Sequence, residues 1–361
     1  MSFFEEDDVE FRAVFFTLLL LVFIVGLIGN ATVCHTYRKN SLVQTVTNLI
    51  IINTAITAIF HCLFNIPLSL IYLALDDELP AGACKANGFM NSICLFESMF
   101  SLLVLSCSRY WCILRPTTFQ AIFSKRHTLF LLCITWLLAI ALSSAPLMGW
   151  SQFLESKGKM MCVSMWRNSL SYTIFITLTV FIIPSFAIIG IYYKIYKHIR
   201  SHERMLKLYR IVCISQVYTP RRKNYSKSLF KDYQVTKLIW TLFIIFVASW
   251  FPYFGVNLIF ESIQSAIPQG VDAFLTLTTI LNTTCSPIIY GLVNRQFRKG
   301  FWENICCWKP RNVSHGPRRR WNRNYDSTDM RSSFRTYQQT SRAHFHELNA
   351  NDVAAVCVTA V

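Results

Sequence analysis

Three side chains in one apolar stretch carry chemistry that hydrocarbon resists. Arg109 closes a run that begins after Cys84, and Glu97 lies between them. Cys84 and Arg109 stand 25 residues apart. A helix rises about 1.5 Å per residue, so that separation is roughly a bilayer core with its polar margins. The thiol therefore belongs at one membrane face and the guanidinium at the other. An arginine at that depth is costly unless it faces protein or water, so its default reading is functional. Glu97 has the same default. Helical phase turns it away from the face that carries Asn91 and toward the next span, leaving open a structural hydrogen bond or a proton or ligand role.

Such residues need a scaffold that spans a membrane. The chain has 361 residues, 53% hydrophobic and only 15% charged. Soluble chains carry about 25% charged residues. Apolar windows recur seven times, at about 13–36, 47–73, 85–113, 128–150, 170–196, 235–260 and 271–293. The expected fold is an all-α membrane protein, a seven-transmembrane helix bundle. Residues 1–12 form an acidic N-terminal tail and 13–293 the bundle. Residues 294–309 make a short amphipathic membrane-surface helix, and 310–361 a disordered tail. No cleavable signal peptide is expected, because the first twelve residues are acidic rather than basic.

The net charge of +16 does not indicate nucleic acid. Of 35 Lys and Arg, 30 fall in one alternating set of loops plus the C-terminal tail. That bias places those loops in the cytoplasm and the N-terminus outside. No internal repeat points to the inverted halves of a transporter. A channel or transporter would also need paired mid-membrane charges, and Glu97 is the one acid there.

Irregularities recur span by span. They are Gly29-Asn30 in span 1, Ser108-Arg109-Tyr110 ending span 3, Trp136 and Pro146 in span 4, and Pro184 with Tyr192 in span 5. Span 6 has Phe246 followed by Ser249-Trp250-Phe251-Pro252, and span 7 ends in Ser286-Pro287-Ile288-Ile289-Tyr290. Over residues 13–307 this set resembles the rhodopsin-like (class A) G-protein-coupled receptors, with a texture nearest the opsin and melatonin-receptor branches.

The resemblance implies a receptor at the plasma membrane rather than an enzyme. Its partners would be an extracellular small-molecule or peptide ligand, a heterotrimeric G protein, and arrestin and receptor kinases acting on the tail; no cofactor is implied. It also implies a disulfide between Cys84 and Cys162. Arg109 would be restrained by Asp232 in the resting state, then released toward the G protein as Tyr192 and Tyr290 move in. Asp232 could equally be a solvated loop acid. Trp250 would be the toggle at the Pro252 bend, with Phe246, Tyr110 and Pro287 in the same activation set. Each proline removes a backbone hydrogen bond and lets its helix pivot.

Three positions depart from the family. Ser108 stands where an aspartate usually restrains the arginine, and Ser286 replaces the usual asparagine. The sodium-binding aspartate would fall at Ala58, leaving Asn30, Ser98 and Asn282 as its polar company. The expectation is a repacked, drier core and raised basal activity. An alternative is an uncoupled seven-span protein that modulates other receptors.

The ligand site should lie between Cys84 and Trp250. Asn87, Asn91 and Leu95 share one face of span 3. Asn91 cannot pair with an ammonium, so a biogenic amine is not expected. Opsins hold retinal on a lysine six residues before the last-span motif, which here is Ile280. Without that amine a Schiff base cannot form there. Tyr253, Asn257 and Thr276 complete a set suited to a neutral or amphipathic molecule. A basic peptide attracted by the acidic rim stays possible.

Beyond span 7, Phe297, Phe301, Trp302 and Ile305 make an apolar stripe beside Arg295, Arg298 and Lys299, which suits a helix on membrane lipid. Cys306-Cys307 follows as a palmitoylation site. The C-terminal Thr359-Ala360-Val361 suits addition to a PDZ-domain protein.

Overall fold

The computed structural model describes residues 2–39, 44–75, 80–156, 159, 161–164, 169–212, 220–263, 265 and 267–293. Seven long helical segments form a bundle. Span 1 is Ser2–Lys39. Span 2 runs over 46–75 as Val46–Phe60, a π-helical turn His61–Asn65, and Ile66–Leu75. Span 3 is Ala81–Leu114, and span 4 is Lys125–Ser144 followed by the 3-10 turn Ala145–Met148. Span 5 is Leu170–Ile176, a second π-helical stretch Thr177–Ile182, and Ile183–Val212. Span 6 is Pro220–Ser262 and span 7 is Gln269–Val293. Among the described residues, six of these helices are long and apolar enough to cross a membrane, and span 7 completes the ring.

Some boundaries differ from the periodicity. Span 1 is helical from Ser2, through residues read as a tail before the membrane, although the stretch apolar enough to cross starts at Glu10. Capping fixes other starts. Thr45 Oγ1 accepts from Asn48 N at the head of span 2, Ser124 Oγ from His127 N at span 4, and Ser169 Oγ from Tyr172 N at span 5.

Span 3 is the central helix, packed against spans 2, 4, 5 and 6, while span 1 closes the ring onto spans 2 and 7. Ile50, Ile51, Met99, Leu105, Ile188 and Ile239 are fully buried at these seams. The outward faces are apolar too, with Phe130, Leu137 and Phe186 exposed. A soluble bundle would put polar residues there; hydrocarbon solvates these faces instead.

Gly29 and Asn30 join span 1 to span 7. A Cβ on Gly29 would meet the Pro287 ring at 2.8 Å, so only glycine permits this approach. Pro287 has no N–H for the carbonyl four residues back, which is Thr283. Asn30 Nδ2 donates to that carbonyl at 3.1 Å, and to Gly26 O at 2.7 Å. The amide in hydrocarbon thus replaces a hydrogen bond that the proline deleted.

Between spans 4 and 5 the chain forms a hairpin of strands β1 (Phe153–Ser156) and β2 (Met161–Ser164), antiparallel, with Glu155 opposite Cys162. A Cβ on Gly88 would come within 2.5 Å of the Phe153 ring, so glycine lets β1 lie flat on span 3.

Candidate functional site

At the disulfide end of the bundle the hairpin covers a cavity. Cys84 and Cys162 are bonded, with Cα atoms 5.3 Å apart, as the family resemblance implies. Side chains alternate along a strand. Cys162 therefore ties β2 to span 3 while Met161 and Val163 line the cavity. Lys159, in the hairpin turn region, reaches the head of span 7, where its Nζ donates to Asp272 Oδ1 at 2.7 Å and Oδ2 at 2.9 Å. Both residues are about 5% exposed. Burial pushes the Lys159 ammonium below the usual lysine range, and the Asp272 carboxylate works against that shift. The ammonium also lies 5.7 Å from the centre of the Tyr253 ring.

The cavity, about 720 Å³ counted out to its mouth, contains six of the eight ligand-site residues expected from the sequence. Asn91, Leu95, Trp250, Tyr253, Thr276 and Ile280 line it. Asn87 and Asn257 are turned elsewhere. Asn87 Nδ2 donates to Asn65 O in the π-helical turn of span 2, and Asn257 Nδ2 donates to Tyr253 O. Sequence phase had put Asn87 with Asn91, but the widened turn in span 2 exposes a carbonyl that takes its amide.

The same turn carries a cavity residue that the sequence reading missed. His61 Nε2 stands 3.2 Å from Asn91 Oδ1. A histidine inside an apolar span is itself a functional signal, and it was the cue available. Tyr172, Thr173 and Thr279 were missed as well, for want of a distinguishing pattern.

Trp250 sits in an aromatic cluster two residues before Pro252, with ring centres 6.0 Å from Phe246, 5.5 Å from Tyr253 and 5.9 Å from Phe254. Beneath it lies a second cavity lined by Thr54, Thr57, Ala58, Ser98, Asn282 and Ser286, among others. Ala58 and Ser286, the two positions behind the expectation of a repacked, drier core, both line this chamber.

Glu97 lies outside both cavities and is fully buried. Its Oε1 accepts from Asn53 Nδ2 at 2.6 Å, Ser101 Oγ at 2.9 Å and Thr135 Oγ1 at 3.1 Å, while Trp136 Nε1 donates to Asn53 Oδ1 at 3.0 Å. The acid thus knits spans 2, 3 and 4, which is the structural alternative of its two readings.

At the other end Arg109 is 5% exposed. Among the described residues its side chain donates to Thr47 Oγ1 on span 2, and its Nε has no partner. Ser108 Oγ turns back on its own helix, donating to Leu105 O at 2.7 Å, and leaves the arginine alone. Tyr192 stacks on Trp240 at 4.7 Å, joining spans 5 and 6. The side chains of Asp232 and Tyr290 lie outside the described residues, as do Cys306, Cys307, Thr359, Val361, the stretch 294–309 and the tail 310–361.

Residues 29–290 match the 7 transmembrane receptor (rhodopsin family) profile. The chain is similar to the melanopsin of Phodopus sungorus, 26% identical over 303 residues, covering 81% of this chain and 62% of that one. It is 27% identical to the melanopsin of Homo sapiens over 345 residues, covering 92% and 68%. Against several of these relatives it spans about six-tenths of their length or less. In fold it resembles the crystal structure of squid rhodopsin, with a TM-score of 0.73 at 21% identity over 85% of this chain and 93% of that one. A matched profile over most of the chain, around a disulfide-tied hairpin, a tryptophan two residues before a helix proline and a buried arginine, makes the chain a member of the rhodopsin family of seven-transmembrane receptors.

Proposed function

We propose that the chain carries an extracellular signal to a heterotrimeric G protein, with the disulfide end outside and the Arg109 end in the cytoplasm. The ligand is a neutral or amphipathic small molecule. One observation carries this reading: Trp250 lines the ligand cavity and also the chamber beneath it. A ligand pressing on the indole loads span 6 two residues from Pro252, where a backbone hydrogen bond is missing. Span 6 is then an element with two positions, and a ligand that prefers one of them shifts the balance.

The arginine end supports raised basal activity. Arg109 rests on a neutral threonine, and Ser108 supplies no charge to hold it. Arrestin and kinase action on the tail, acylation at Cys306 and Cys307 and a PDZ contact at Val361 belong to the same proposal.

The test is expression of the full chain with a promiscuous Gα readout. Basal and ligand-screened coupling should appear at measured surface expression and fall in Arg109→Ala. No G-protein or arrestin coupling, with Arg109→Ala inert, would remove the reading. The three departures at Ala58, Ser108 and Ser286 favour one second reading, an uncoupled receptor that modulates a partner. Basal signalling equal in wild type, Arg109→Ala and Ser108→Asp would select it.

A further inference from the structure

The hairpin over the ligand cavity is tied down differently on its two sides. On span 3 the tie is covalent, through Cys84–Cys162, and the Phe153 ring lies against Gly88. Toward spans 2 and 7 the ties are non-covalent. Met161 and Val163 belong to one apolar cluster with Leu73 of span 2 and with Ala273 and Ile280 of span 7. The directional tie on this side is Lys159 Nζ, which donates to both carboxylate oxygens of Asp272. Both side chains are buried.

This pair adjoins the cavity walls. The ammonium lies 5.7 Å from the centre of the Tyr253 ring, and Thr276 Oγ1 donates to Asp272 O at 2.8 Å. Met161 stands two residues after Lys159 on the hairpin. Tyr253, Thr276 and Met161 all line the cavity.

The two kinds of tie respond differently to opening. A disulfide holds its two ends together throughout, so it acts as a hinge. A buried ion pair contributes little net stability, because water solvates both charges when the partners separate. Closing with one partner missing is costly, since a lone charge is then buried. Such a tie is releasable when complete and fails when either member is lost.

We propose that the Lys159–Asp272 pair is the latch of a lid: the hairpin swings about the Cys84–Cys162 bond, and entry to the cavity from the disulfide end requires the pair to part. The inference rests on the reading of this cavity as the ligand site and adds how that site is reached. A closed latch slows entry and exit alike, so it governs how fast a ligand exchanges more than how tightly it binds.

The experiment uses the full chain in lipid nanodiscs with Ser92→Cys as a reporter, because Ser92 lines the cavity. The probe is methanethiosulfonate ethyltrimethylammonium, a cation that stays out of lipid. Its reaction with the introduced thiol is followed by mass spectrometry, above the background of the same chain without Ser92→Cys. With the latch intact the reaction should be slow. Lys159→Glu sets two acids together and should speed it about a hundredfold. Asp272→Asn keeps the shape and removes one charge; it should speed the reaction at least about tenfold, and it serves if Lys159→Glu does not fold. Lys159→Glu/Asp272→Lys restores an opposite pair and should return most of the slowness. Hydrogen exchange of the strands Phe153–Ser156 and Met161–Ser164 should rise in the fast variants while that of span 3 stays unchanged. Labelling of the intact latch as fast as in Asp272→Asn overturns the proposal, as does a reversed pair as fast as Lys159→Glu. Hairpin exchange that rises only together with span 3 exchange, the mark of general unfolding, overturns it too. No ligand enters this test, so its failure leaves the receptor and small-molecule readings standing, and those are judged separately by the Arg109→Ala coupling assay and the ligand screen.

Discussion

The two ends of the bundle are held in different ways. At the disulfide end a covalent bond, a buried ion pair and a glycine-seated strand fix the hairpin to spans 3 and 7. At the Arg109 end the described contacts of the charged residue amount to a hydrogen bond to Thr47, and Ser108 is turned into its own helix. An end tied by covalent and ionic links resists opening, while one held by neutral hydrogen bonds opens at little cost. Among the described residues the disulfide end is therefore the more heavily cross-linked of the two, the frame, and under the proposed function movement belongs to the Arg109 end. Glu97 sits between them and belongs with the frame, since it ties spans 2, 3 and 4.

Breaking the frame should give the largest effects. Lys159→Ala or Asp272→Ala each strands a buried charge, and thermal unfolding of purified receptor should show a loss of about 3–5 kcal/mol. The double variant Lys159→Met/Asp272→Leu should recover most of it. A double variant as unstable as the singles would show that the pair is needed as a pair. Cutting the disulfide with Cys84→Ser and Cys162→Ser should cost about 2–4 kcal/mol in the same assay.

Next comes the middle. Glu97→Ala removes the acceptor of Ser101 Oγ and one of two acceptors each of Asn53 Nδ2 and Thr135 Oγ1, which keep Ser101 Oγ and Leu132 O, and should cost about 1–3 kcal/mol, whereas Glu97→Gln keeps Oε1 and should be close to neutral. Equal damage from both would mean that the charge, rather than the acceptor, matters.

Smaller effects are expected at the arginine end, and in signalling more than stability. Thr47→Val should raise basal coupling a few-fold by freeing Arg109, and Ser108→Asp should lower it by adding the missing acid. A baseline unmoved by both would contradict the contrast between the ends.

The smallest effect is the pH dependence of the lid. Burial lowers the folded-state pKa of Lys159, so on alkaline titration the folded chain gives up this proton before the unfolded chain does. Between that lowered value and the usual lysine range near 10.4, the unfolded state holds more protons. This group's contribution to stability therefore rises with pH across that window and is absent in Lys159→Met. A wild-type stability profile parallel to that of Lys159→Met would refute it.

Much of this was legible in the residues. Charge asymmetry and apolar windows gave seven spans, and six irregularities in order gave the family, because prolines, a membrane-end arginine and small-residue contacts leave marks that do not depend on neighbours. The cavity was legible in part. Asn91, Leu95, Trp250, Tyr253, Thr276 and Ile280 follow from plain helical phase and were found. Asn87, Asn257 and His61 do not, because a π-helical turn and backbone carbonyls within reach change which way an amide or a ring faces.

Residue types and their order establish a rhodopsin-family bundle, an arginine without the usual acidic neighbour, and the absence of a lysine at Ile280 to bind retinal covalently. Those are facts of residue type and order. Long-range packing sets Arg109 on Thr47, brings Asn30 to the carbonyl Pro287 abandons, and pairs Lys159 with Asp272 at the head of span 7. It also decided that His61 stands beside Asn91. Each of these is a meeting of residues far apart in the chain, fixed by helix crossings and one extra residue in a turn, and no local pattern encodes it.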